Sequence, residues 1–111
     1  MLNIEDWRSQ IRRGTLEFCI LLLFVKGDRY GYEIMSNLAK YPIIAAKEST
    51  TYPLLRRLEK DGYLCSYWQE TTEGLPPRKY YSITESGKDY VQRISLEWDS
   101  LVVAISDLKG A

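Results

Sequence analysis

Apolar residues recur along this chain at helical spacing in four stretches, broken between the third and fourth by a short aromatic-rich segment. In the first stretch Leu16, Ile20 and Leu23 fall on one side of a helix, and Phe18, Leu22 and Val25 on another. Asn3 suits the N-cap, Glu5 and Asp6 suit the opening turn, and Gly27 fits the position after the end. The spacing predicts a helix over Ile4 to Lys26, with a bend allowed at Gly14. A helix apolar on two sides needs two covers. Its own domain supplies one, and a second subunit is the natural source of the other.

Asp28-Arg29-Tyr30-Gly31 reads as a turn. A second helix is predicted from Tyr32 to Ala39, with Ile34, Met35 and Leu38 inward and Pro42 closing it. Ile43 to Glu48 is short enough for a helix-turn-helix connection. A third helix starts at Glu48 or Ser49 and ends at Asp61-Gly62. Leu54, Leu55 and Leu58 supply its core face, and Thr51, Tyr52, Arg56 and Lys60 its outer one. Pro53 is read as lying in the first turn, where a missing N–H costs little.

Strands at about Leu64–Glu70 and Lys79–Thr84 form a hairpin with a protruding connection. Strand alternation sends one of Tyr80 and Tyr81 inward and the other outward. Thr84 caps a last helix from Glu85 to about Leu108. Its apolar residues are Val91, Ile94, Trp98, Leu101, Ile105 and Leu108, stepping alternately by three and four, as a coiled-coil seam does. Nothing remains in the chain to cover so long a stripe, so a partner copy is expected. The fold class is therefore mainly α with a small β-hairpin. Residues 1–84 form a winged helix-turn-helix, and 85–111 a C-terminal dimerisation helix.

Composition narrows the function. One domain is the prior for 111 residues. There is no histidine, which removes the commonest general base and the commonest zinc ligand. Cys19 and Cys65 are too differently placed to form a metal pair and read as reduced structural thiols, which points to the cytoplasm. The longest apolar run, Phe18 to Val25, falls far short of the roughly 18–20 residues that span a bilayer. No phosphate-binding glycine loop, nucleophile–base pair or metal set is present, so neither an enzyme nor a cofactor is expected. The net charge is zero, with 15 basic and 15 acidic residues. Nucleic-acid binding then requires local concentration of charge. Arg56, Arg57, Arg78 and Lys79 can converge, apart from an acidic last helix carrying Asp89, Glu97, Asp99 and Asp107.

The start of the third helix carries the candidate chemistry. The N-terminal end of a recognition helix is the part that meets base edges. Thr50 and Thr51 offer hydroxyls for bases or phosphates and methyls for thymine; Tyr52 can reach a phosphate. Arg56 lies one turn on, toward guanine or the backbone. On this reading Thr51→Ala relaxes sequence preference. Arg78 and Lys79 follow Pro76-Pro77, a stiff mount for cations aimed at phosphates or the minor groove. Trp98, mid-seam, could face its copy across a dimer axis with Phe18 and Leu22 nearby, making a flat slot for a planar aromatic or phenolic effector. Each residue also has a plainer reading as cap, core or solvated charge. A winged-helix protein-interaction module without DNA binding is the alternative.

The segments GDRYGYEIMSNL, STTYPLLRRLEKDGYL and GLPPRKYYSITESGK resemble the PadR family of bacterial transcriptional regulators. The single C-terminal helix is similar to that of the small, LmrR-like subfamily. The resemblance covers about Arg13 to the C-terminus. It implies a homodimeric winged helix-turn-helix repressor on a pseudo-palindromic operator, joined through the first and last helices. It implies DNA contacts from Tyr32, Ser49, Thr50, Thr51, Tyr52, Arg56, Arg78 and Lys79, and an effector site flanked by Trp98. Phe18 and Leu22 are apolar where that subfamily is partly polar, which points to a narrower central pore.

Overall fold

The computed structural model describes residues 3–72 and 74–110. Its elements follow in the order α1 (Ile4–Lys26), β1 (Arg29–Tyr30), α2 (Gly31–Leu38), α3 (Glu48–Lys60), β2 (Leu64–Gln69), β3 (Arg78–Ile83) and α4 (Glu85–Leu108). The sheet is antiparallel, in the order β1-β3-β2. The expected hairpin is present, with Tyr67 opposite Tyr80 and Gln69 opposite Arg78.

β1 corrects the sequence reading. Arg29 and Tyr30, read as a turn, pair with Tyr81 and Tyr80 and add a third strand. Arg29 holds the corner together. Its Nε donates to Asn37 Oδ1 at 3.0 Å, and its Nη1 donates to the carbonyls of Gly27, at 2.7 Å, and Leu23.

α1 is one unbroken helix through Gly14, capped by the Asn3 side chain accepting from the Asp6 N–H. Leu16, Ile20, Leu21 and Phe24 are its buried residues; Leu23 is half-buried, and Leu22 and Val25 are exposed. They meet Ile34 and Leu38 of α2, Leu55 and Leu58 of α3, Leu64, Tyr81 and Val91 in one core. Fully burying each such aliphatic or aromatic side chain is worth about 1.5–3 kcal/mol. Tyr81 turns inward and Tyr80 lies half-buried on the other face, as alternation requires.

α3 also departs from expectation. It begins at Glu48, which puts Pro53 in its second turn rather than its first. Pro53 therefore cannot donate to the Ser49 carbonyl. Thr51, expected outward, is fully buried, and Leu54, expected in the core, is only half-buried. The inward stripe is Thr51, Leu55 and Leu58. Gly62, at φ 85°, takes the left-handed conformation that ends the helix.

Thr84 joins three segments. Its hydroxyl donates to the Gly62 carbonyl at 2.6 Å and accepts from the Gly87 N–H at 3.0 Å. Gly87 is buried, and a Cβ there would run into the Tyr63 carbonyl and lie 2.7 Å from Ile83 Cγ1. Tyr63 and Tyr90 stack at 4.3 Å, fixing the first turns of α4. Val91 is still in the core and Ile94 is half-buried, but from Trp98 onward the apolar side chains of α4 are exposed. Trp98, Leu101, Val102, Ile105 and Leu108 are 39%, 48%, 45%, 47% and 86% exposed, so the described residues leave the second half of the seam uncovered. No helix among the described residues is long and apolar enough to cross a membrane.

Gly87→Ala is expected to lower unfolding free energy by about 1–3 kcal/mol in urea denaturation, because a backbone carbonyl cannot swing away from the added methyl. An unchanged midpoint would show that α4 does not start pressed against Tyr63.

Candidate nucleic-acid interface

α2 and α3 pack at close range because Gly31 has no side chain. A Cβ at Gly31 would overlap the Tyr52 ring and lie 2.7 Å from its hydroxyl oxygen. Tyr52 is therefore half-buried against the start of α2, not displayed on the outer face of α3. Burial, then the neighbouring Glu48 charge and Tyr81, push its phenol pKa up, so the hydroxyl keeps its proton as a hydrogen-bond donor.

With Thr51 and Tyr52 turned inward, the exposed positions of α3 from its start to Arg57 are Glu48, Ser49, Thr50, Pro53, Arg56 and Arg57. The Thr51 hydroxyl is sealed in the core without a hydrogen-bond partner among the described residues. It cannot touch a base.

The wing and α3 enclose a hollow of about 340 Å³ lined by Tyr30, Tyr52, Arg56, Arg78 and Lys79. Arg78 is exposed at the first position of β3, with its guanidinium 4.6 Å from the centre of the Tyr30 ring. That ring stacks on Tyr32 at 6.5 Å and meets Tyr80 edge-on at 5.4 Å; Tyr80 in turn stacks on Tyr67. The Tyr67 hydroxyl donates to Asp28 Oδ2 at 2.7 Å, and this bond, ahead of burial, raises its pKa. A braced row of tyrosines thus runs from the wing to α2 and ends at Tyr32, which is 64% exposed.

Lys79 differs from Arg78. It is half-buried, with Nζ 3.5 Å from Glu59 Oε1 and 5.3 Å from the Tyr81 ring centre. Glu59 also accepts from the Ser66 hydroxyl. Lys79 thus ties α3 to the sheet, whereas Arg56 and Arg78 have no carboxylate partner among the described residues. Sequence reasoning missed Tyr30, because a two-residue strand is too short to show alternation. It also missed Trp68, an exposed wing residue opposite Lys79.

Two of the three residues of the second expected site come together. Phe18 and Trp98 meet within the chain at 6.3 Å between ring centres. They line a hollow of about 160 Å³ with Gly14, Ile94 and Leu101; Leu22, exposed, is not among its lining residues.

Three helices, with the third flanked by a β-hairpin, define a winged helix-turn-helix protein. The chain matches the transcriptional regulator PadR-like family over residues 20–93 and belongs to that family, whose members are DNA-binding regulators and not enzymes. It is similar to a PadR family transcriptional regulator from Eggerthella lenta DSM 2243, at 33% identity over 95% of this chain and 90% of that one, with a TM-score of 0.84. A transcriptional regulator from Clostridium thermocellum is 38% identical, over 89% of this chain and 94% of that one, with a TM-score of 0.78. The negative transcriptional regulator PadR of Bacillus subtilis (strain 168) is 34% identical over 77 residues, covering 67% of this chain but 41% of that protein.

Thr51→Val, which removes the orphaned hydroxyl and keeps the branched shape, is expected to raise stability by about 1 kcal/mol. Base preference, read by selection from random duplexes, should not change. A shift in preference would return Thr51 to the reading surface.

Proposed function

We propose that the chain is a homodimeric, sequence-specific repressor that holds duplex DNA between α3 and the wing and is released by a small planar effector. Residues 1–84 form the DNA-binding unit, and 85–111 the dimerisation helix. Ser49, Thr50 and Arg56 meet base edges and phosphates, Tyr32 meets a phosphate, and Arg78 takes the backbone beside the wing. Tyr52 lends its hydroxyl from the hollow, and Lys79 mainly positions β3. Thr51 acts from the core, shaping the start of α3.

The observation that carries this reading is the pair of guanidinium groups, Arg56 and Arg78, that line one hollow without a carboxylate partner among the described residues, in a chain of zero net charge. Had acidic side chains quenched them, the protein-interaction alternative would be favoured. Dimerisation is supported by the bare α4 seam, whose exposed apolar side chains would be costly to leave in water. Repression is supported by the similarity to the Bacillus subtilis protein, a negative regulator. The effector reading rests on the Phe18–Trp98 hollow, which in one protomer is smaller than the roughly 300–1,000 Å³ of ordinary ligand sites. Two copies facing across an axis would enlarge it, with Leu22 nearby. A regulator acting on bacterial DNA works in the cytoplasm.

Titrating affinity for duplex DNA against salt tests the reading. Log affinity should fall linearly with log salt. Arg78→Ala should weaken binding to all sequences by roughly tenfold at 0.1 M salt and reduce the slope by about 0.9 for each phosphate no longer neutralised. Affinity indifferent to salt, or a wing variant that binds like the parent, would contradict it.

A further inference from the structure

The flank of α3 away from the wing faces a second cationic hollow. A groove of about 500 Å³ runs between α1 and α3, with Arg12, Arg13 and Arg57 among its lining residues. An adjoining hollow of about 490 Å³ shares Arg12 and Thr50 with it and adds Lys47 and Ser49 at the start of α3. Among the described residues the one carboxylate lining these walls is that of Glu17, paired with Arg57 at 3.4 Å. Four cations against one anion is a strong local excess in a chain whose charges cancel overall. Arg12 is also oriented: its Nε donates to the Ile43 carbonyl at 3.3 Å, which ties it to the loop leading into α3. Thr50, exposed and common to both hollows, connects the groove with the reading end of α3.

We propose that this groove is a second phosphate-binding site, which receives the DNA backbone on the side of α3 opposite the wing. It rests on the DNA-binding reading and extends it to residues of α1. An α-helix is about 10–12 Å across with its side chains, and the major groove of B-DNA is about 12 Å wide. A helix seated there lies close to both bordering backbones, so cations on both flanks are used. Arg78 and Arg56 serve one flank; Arg12, Arg13 and Lys47 serve the other, while Arg57 is partly engaged by Glu17. Phosphate contacts fix register and orientation without reading sequence. The site therefore sets affinity and docking angle, not base preference.

The competing occupant is the acidic part of a partner's α4, which carries Glu97, Asp99 and Asp107. The DNA reading is favoured because the groove opens beside Ser49 and Thr50, the exposed start of α3.

The test uses the full chain, mixed-sequence duplex DNA as the probe, and the variants Arg13→Gln and Arg12→Gln with Arg13→Gln. Arg13 is exposed, so its single replacement leaves the fold intact and guards against misfolding of the double variant. The double variant is expected to bind roughly tenfold or more weakly at 0.1 M salt, with the salt slope reduced by about 0.9 for each phosphate left without its cation. Arg13→Gln alone should show part of that loss, with melting temperature and sedimentation unchanged. If Arg78→Ala weakens binding while both groove variants bind like the parent, the groove proposal is overturned and the proposed function stands. If the groove variants change only subunit dissociation, the groove belongs to the partner and the proposal is again overturned. Failure of the parent chain to bind duplex DNA would overturn both.

Discussion

The close approach of Tyr52 to Gly31 is the constraint on which the geometry of the proposed DNA-binding surface depends. The missing side chain at Gly31 leaves room for the Tyr52 ring, and that ring sets how near α2 and α3 can lie. Thr51, Leu55 and Leu58 then have one way to face the core, which leaves Ser49, Thr50 and Arg56 outside. Two turns along α3 from Tyr52, Glu59 reaches both Lys79 and Ser66 and holds the sheet to the same helix. α3 is thus wedged between α2 and the wing before any ligand arrives. Groups fixed in advance lose less entropy on binding than groups that must be ordered.

Charge is handled by placement. The chain carries equal numbers of acids and bases, so it has no net attraction for a polyanion. Intramolecular pairs absorb some cations, including Lys79 with Glu59 and Arg57 with Glu17. Two cations that have no such partner among the described residues, Arg56 and Arg78, stand where the wing and α3 meet. The aromatic row of Tyr67, Tyr80, Tyr30 and Tyr32 braces that junction, and Arg78 lies over one of its rings. A cation held over an aromatic face keeps its charge and loses mobility.

Much of the architecture was legible in the sequence, because helix periodicity and caps are local signals. Asn3, Thr84 and Gly62 mark helix ends as their chemistry requires, and the alternation at Tyr80 and Tyr81 is correct. What was hidden depends on tertiary neighbours. Thr51 looks like a reader because threonine is polar, yet its position one turn before Leu55 places it in the core stripe. Tyr52 looks exposed until Gly31, twenty-one positions away, makes room for its ring. Arg29 and Tyr30 form a strand only because β3 is there to pair with. Lys79 looks the equal of Arg78 in sequence, but adjacent strand residues face opposite ways, and one meets Glu59. The α1–α3 groove brings together Arg12, Arg13 and Arg57, whose separation in sequence conceals it.

The central claim is that two copies, joined through α4 and α1, present two α3 helices to one duplex. Hydroxyl-radical footprinting on a duplex selected from random sequence tests it most directly. The account predicts two protected half-sites related by two-fold symmetry, their centres about 10 base pairs or a multiple apart. A single protected half-site bound by one copy, or no protection on any selected duplex, would contradict it.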